Sequence, residues 1–173
     1  MMDVNNILKI IINRSIDFRN MRSNDNYYTD FYCLNKLAYI IHGLSLAIYN
    51  KGIFTNRIFA DKTGPYIKET ENFFDEFALE PINKKQRVED IPEKLMDIID
   101  LVINAFGNMS PQEIGIFCKQ HKPWLDTIAA QEFGIIKDND ILEYFINNDI
   151  ITLADYLKIS LNCDIDVKLV LRP

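Results

Sequence analysis

The sequence predicts a mainly α protein: a compact helical domain with a small β-hairpin or a short two- to three-stranded sheet. Three observations carry that reading. Apolar residues recur at spacings of three and four over several long stretches, the signature of helices with a buried face. Ser110-Pro111-Gln112-Glu113 spells a helix start. One short segment rich in β-formers, Ile53–Lys62, interrupts the helical pattern. With 173 residues, 48% of them apolar and 12% aromatic, the chain can bury a sizeable core as one domain. We expect that domain to span residues 1–146, with 147–173 as a C-terminal extension packed on it.

The first helix is set by Val4, Ile7, Leu8, Ile11, Ile12 and Ile16 and should run to about Met21, where Ser23-Asn24-Asp25-Asn26 breaks it. Thr29 or Asp30 can cap the second helix, since a short side-chain oxygen accepts an orphan backbone N–H there. This helix is the centre of the fold. Leu34, Leu37, Ile41, Leu44 and Ile48 form one stripe; Tyr39, His42, Leu46 and Tyr49 form a second, about 100° away. A helix apolar over most of its circumference is buried on several sides. Asn50 and Gly52 suit a left-handed C-cap.

Ile53–Lys62 reads as a hairpin or two extended pieces, with Asn56-Arg57 as the turn. Pro65 fits the first turn of a helix, so Tyr66–Phe77 reads as helical through Ile67, Phe73, Phe74 and Phe77. Leu79–Asp90 is a polar connection, and Ile91–Phe106 returns to helical periodicity. Ser110 as cap, Pro111 at the first position and Glu113 closing a capping box start a short helix to Lys119. His121-Lys122-Pro123-Trp124 reads as a sharply turning loop anchored by the indole, followed by another short helix. Asp138 or Asn139 caps a helix over Asp140–Asn147, and Thr152 one reaching Leu161. The tail Asp166–Arg172 alternates like a strand and could pair with 53–62.

A net charge of −6 argues against a nucleic-acid surface, which needs concentrated Lys and Arg; the densest basic run, Lys84-Lys85-Gln86-Arg87, sits among turn formers. Three scattered cysteines do not make a disulfide framework. No signal pattern is expected at the N-terminus, and no stretch of the 18–20 apolar residues that a membrane span takes. These readings place the chain in the cytoplasm.

Candidate chemistry is sparse. Cys118 and His121 have the two-residue spacing of half a zinc site, with Cys33 and His42 as the other half, but the gap between the last two turns them to different faces of a helix. Cys118 with His121 or His42 as base is a nucleophile reading, set against a helix C-terminal position whose dipole opposes a thiolate. No glycine-rich phosphate loop is present. Hence no catalytic, cofactor or metal residue is assigned, and His42 reads as a core histidine.

The order of motifs LNKLAYIIHGLSLAIYNKGIF, ADKTGPYI, MSPQEIGIFCKQHKPW and IIKDNDILEYF resembles the SocA-like, phage-associated Panacea antitoxin domain. The shared positions are Lys36, Leu37, Tyr39, His42 and Gly43; Gly64 and Pro65; and His121, Pro123 and Trp124, with the likeness running from about Val4 to Phe145. Leu44, Thr63 and Tyr66 depart from the usual residues at their positions. The resemblance implies a mainly helical, non-enzymatic domain that neutralises a cognate protein toxin by binding it, in some members as an adaptor to an energy-dependent protease. It implies no cofactor and no membrane. The partner would be met through Tyr39, His42, Phe59, Gly64, Pro65, Tyr66, His121 and Trp124, with Tyr66 or Phe59 as the exposed anchor. The acidic balance suits a basic toxin. A homodimer through the apolar tail, a phage-associated enzyme using His42, Cys118 or His121, and a phage structural or regulatory module without a toxin are the alternatives.

Overall fold

A computed structural model describes residues 2–22, 30–75 and 84–148. Among them are seven helices and a three-stranded antiparallel sheet: α1 Val4–Arg22, α2 Phe31–Tyr49, β1 Ile58–Asp61, β2 Gly64–Ile67, α3 Thr70–Asp75, α4 Glu93–Phe106, α5 Pro111–Lys119, α6 Lys122–Ala130, β3 Ile135–Ile136 and α7 Asp138–Asn147. The protein is mainly α with a short sheet, as its periodicity predicts.

Helix α2 runs through the middle, packed against α1, α4, α5, α7 and β2. Every residue from Cys33 to Leu46 is buried, which is what two apolar stripes on one helix require. Asp30 caps its start, accepting the Cys33 N–H at 2.7 Å, and Asn50 closes its end with a left-handed backbone, φ 50°. At 19 residues α2 is long and apolar enough to cross a membrane, contrary to the expectation that no such stretch exists. Its burial on all sides is that of a core helix.

On α1, two asparagines two turns apart on one stripe hold the polar connection ahead of α4. Asn13 exchanges two hydrogen bonds with the Gln86 backbone (2.8 and 2.7 Å), and Asn6 does the same with Glu89 (3.3 and 2.8 Å). The basic run at 84–87 is thereby tied down, with Lys85 paired to Asp17 at 2.6 Å. Helix α4 starts at Glu93 rather than Ile91, because Pro92 pushes the residue before it out of the α region. The capping box at Ser110 forms in full: Glu113 N–H to Ser110 Oγ, and Ser110 N–H to Glu113 Oε2.

The sheet corrects several expectations. The hairpin turns at Lys62-Thr63, not Asn56-Arg57, and Gly64-Pro65 opens β2 instead of a helix. Asp61 nucleates that turn by accepting hydrogen bonds from the Thr63 N–H and hydroxyl. Pro65 pairs with Ala60, whose own N–H and C=O both bond the 133–134 backbone. The pair is therefore a non-hydrogen-bonded one, and the missing proline N–H would have pointed away from β1. The helix expected over Tyr66–Phe77 shrinks to Thr70–Asp75 because Tyr66 and Ile67 belong to the ladder. The earlier piece, 53–54, makes an isolated bridge with Met2. The third strand is Ile135–Ile136. Phe77, the helix from Thr152, the strand 166–172 and nearly all of the 147–173 extension lie outside the described residues.

Candidate functional site

One face of α2 holds the hairpin in place, and it does so with polar side chains. Asn35 accepts the Ile67 N–H at 2.8 Å and donates to Thr70 Oγ1 at 3.0 Å, while Thr70 donates to the Ile67 carbonyl at 2.6 Å. Tyr32 donates its hydroxyl proton to the Thr63 carbonyl at 2.7 Å. Lys36, 1% exposed, donates to the Pro65 carbonyl at 3.0 Å and lies 4.3 Å from the centre of the Tyr32 ring. The outer edge of β2, which would otherwise be open for pairing, is thus filled by α2 side chains.

Gly64 is what lets the backbone come this close. Its φ is +116°, and a Cβ there would stand 2.9 Å from Lys36 Cε. Burial lowers the Lys36 ammonium to a pKa of about 8. The Asp61 carboxyl, although pushed up by burial, is held below its usual range by the Thr63 hydrogen bonds, the Lys62 N–H and the Lys36 charge.

A lysine that sheds its proton sooner when folded gives a signed prediction. Between pH 8 and 10.5 the unfolded chain keeps a proton that the folded one has lost, so the Lys36 contribution to stability rises with pH, by about 3 kcal/mol in all. Lys36→Met has no such rise. Chemical denaturation of both proteins at pH 7.5 and pH 10 should show the parent gaining on the variant; a constant difference would refute the buried ammonium.

Further along α2, Tyr39 reaches α5–α6 and His42 reaches α7. The Tyr39 hydroxyl and His121 Nδ1 are 3.2 Å apart. The imidazole, 3% exposed, is enclosed by the rings of Tyr39, Phe117, Tyr144 and Phe145 at centroid distances of 4.7–5.6 Å. Burial pushes its pKa down to about 4. His42 meets Asp138 Oδ1 through Nε2 at 3.3 Å and lies over Phe54, and its Nδ1 is buried without a hydrogen-bond partner among the described residues. The hydrogen bond from His42 holds the Asp138 carboxyl below its usual range. Asp138 was expected as a helix cap; it is the first residue of α7, and its side chain serves the imidazole.

Trp124 donates its indole N–H to the Asp61 carbonyl at 3.0 Å, locking α6 to the hairpin. The His121–Trp124 segment is a corner between two helices rather than a loop: His121 precedes α6, and Pro123 and Trp124 lie in its first turn. Of the residues expected to meet a partner, Tyr39, His42, Gly64, Pro65, His121 and Trp124 are buried, and Phe59 and Tyr66 are half-buried. The structure brings Tyr39 to His121 and Trp124 to the hairpin. It does not bring His42 to either.

Cys33 and Cys118 are buried free thiols, Cys33 pushed up by burial to a pKa of about 12 and Cys118 also raised by burial. A thiolate at neutral pH is therefore disfavoured at both. Among the described residues, no group of three or more His, Cys, Asp or Glu side chains is placed to hold a metal ion. Asn35, Thr70, Tyr32, Phe145 and the pairing role of Asp138 escape a reading of the sequence. Only Asn35 leaves a trace there, as a polar residue in an otherwise apolar helix face.

Residues 34–125 match the family model described as the antitoxin SocA-like, Panacea domain. No match was found among curated proteins or among solved structures.

Proposed function

The chain belongs to the SocA-like Panacea antitoxin family, and from that premise we propose that it neutralises a cognate protein toxin by binding it directly. The observation that carries the reading is where the matched residues fall. They contain most of α2, the hairpin, α3 to α5 and the first turn of α6, together with the contacts Lys36–Pro65, Tyr39–His121 and Asp61–Trp124. These residues support a rigid hairpin platform more than a reactive centre, because Asn35, Lys36, Tyr39, Thr70, His121 and Trp124 direct their polar groups into contacts between elements. In this reading the buried members of the motif shape the surface, and Phe59 and Tyr66 meet the toxin. Delivery of the bound toxin to an energy-dependent protease, in the cytoplasm, is the finer form of the same proposal.

Co-expression with the product of a gene adjacent to its own, tested first for toxicity by itself, decides it. Growth should stop with the neighbour alone and return when this protein is made with it. With purified components and no protease present, neutralisation should require about one equivalent. A neighbour that stays toxic beside this protein ends the antitoxin reading, and full protection at a small fraction of an equivalent would favour an enzyme instead.

A further inference from the structure

The connection from Lys84 to Asp90 is clasped to α1 by side chains that read its main chain. Asn6 and Asn13 stand seven residues apart on α1, about 10.5 Å along its axis. Gln86 and Glu89, the residues they hold, are three apart, about 10 Å in an extended chain. The two spacings agree, so the segment lies extended and antiparallel along the helix. At each rung one carboxamide takes both polar groups of one residue. Its Nδ2 donates to the carbonyl and its Oδ1 accepts the N–H, at 2.8 and 2.7 Å for Gln86 and at 3.3 and 2.8 Å for Glu89. Such a pair is blind to the side chain of the residue it holds. Lys85, paired with Asp17 at 2.6 Å, sets the register.

The two halves of the clasp differ in how firmly they are held. Asn6 and Asn13 project from a helix whose opposite side, Ile7, Leu8, Ile11 and Ile12, is buried in the core. The rungs therefore keep their places whatever lies on them. The segment on them has no comparable anchor. All of its residues but Gln86 are exposed, and among the described residues its main chain bonds no other main chain. A segment held by side-chain hydrogen bonds and one surface ion pair opens at low cost.

We propose that Asn6 and Asn13 form a capture site for an extended segment of a partner protein, with Lys or Arg directly before the first captured residue, and that residues 84–90 fill it as an internal stand-in until such a segment displaces them. The main-chain bonds supply the affinity, and Asp17 selects the basic residue. The inference does not rest on the antitoxin reading, since α1 lies outside the residues matched by the family model.

Because the stand-in is tethered, it competes at an effective concentration on the order of millimolar, and weakening it should uncover the site. The experiment uses the full chain and a fluorescent synthetic peptide with the sequence of residues 84–90, KKQRVED. In the chain, Gln86→Pro removes the N–H that Asn13 accepts. Lys85→Glu sets a carboxylate against Asp17 and serves where the proline disturbs folding. Either variant, folded by circular dichroism, should bind the peptide about tenfold or more tightly than the parent does. Adding Asn13→Ala should abolish that gain. A peptide with Gln86→Pro should not bind, whereas one with Gln86→Ala should bind like the original. The proposal is overturned if neither variant gains on the parent, if binding ignores Asn13→Ala, or if the proline and alanine peptides behave alike.

Discussion

His121→Phe will make the protein less stable than its parent near pH 7 and more stable near pH 4. Near neutrality the variant keeps the ring packed among Tyr39, Phe117, Tyr144 and Phe145 but leaves the buried Tyr39 hydroxyl without its partner, a loss of about 1–3 kcal/mol. Acid reverses the order. The folded imidazole titrates at about 4 and the unfolded one near 6.5, so as pH falls between those values the unfolded chain takes up a proton that the folded one refuses. The parent thereby loses about 3 kcal/mol that the variant, having no imidazole there, does not lose. Carboxylates with lowered pKa, such as Asp138 and Asp61, also cost stability in acid, but both proteins share them. Urea denaturation from pH 4 to pH 7.5 reads the difference directly. Parallel curves would sink the idea that His121 is held neutral by burial.

Gly43→Val should cost about 3 kcal/mol. Gly43 lies in the middle of α2 with the Phe145 ring of α7 flat against its backbone; a Cβ there would come within 2.5–2.7 Å of three ring atoms. Phe145 is 4% exposed and is boxed in by Tyr39, His121 and Tyr144, so it cannot swing aside cheaply. Overpacking of this kind normally costs about 1–3 kcal/mol, and valine's slightly better helix propensity returns only a few tenths. A double-mutant cycle with Phe145→Ala isolates the contact. The alanine alone should cost about 3–5 kcal/mol, and the pair should lose clearly less than the two single losses added. Strict additivity would mean that the glycine is not there to receive the ring.

These two sites show how unevenly the fold is legible in the sequence. Gly43 was visible only as a family motif residue, because nothing local says that a ring from a segment a hundred positions away will rest on it. Pro65 reads as a helix start, and lies instead in β2, for a similar reason. A proline suits the first turn of a helix and an edge-strand position facing away from the ladder equally well, and the choice depends on which strand lies beside it. Phe133, with φ 59° and its N–H bonded to the Ala60 carbonyl, carries no warning in the sequence, since that left-handed angle is a property of the loop that delivers β3 to β1.

What the sequence alone determined is the helical framework: the buried central helix capped at Thr29 or Asp30 and closed at Asn50, the Ser110 capping box, and membership of the antitoxin family. Periodicity, capping and turn chemistry act over a few residues, so a linear reading can recover them. Only the tertiary structure decided the uses of the polar residues. That Lys36 grips the Gly-Pro carbonyl, that His42 answers to Asp138 and His121 to Tyr39, and that Trp124 ties α6 to the hairpin all depend on pairings between distant segments. Burial favours a partner for each donor or acceptor, and which partner it finds is set by packing, not by its neighbours in the chain.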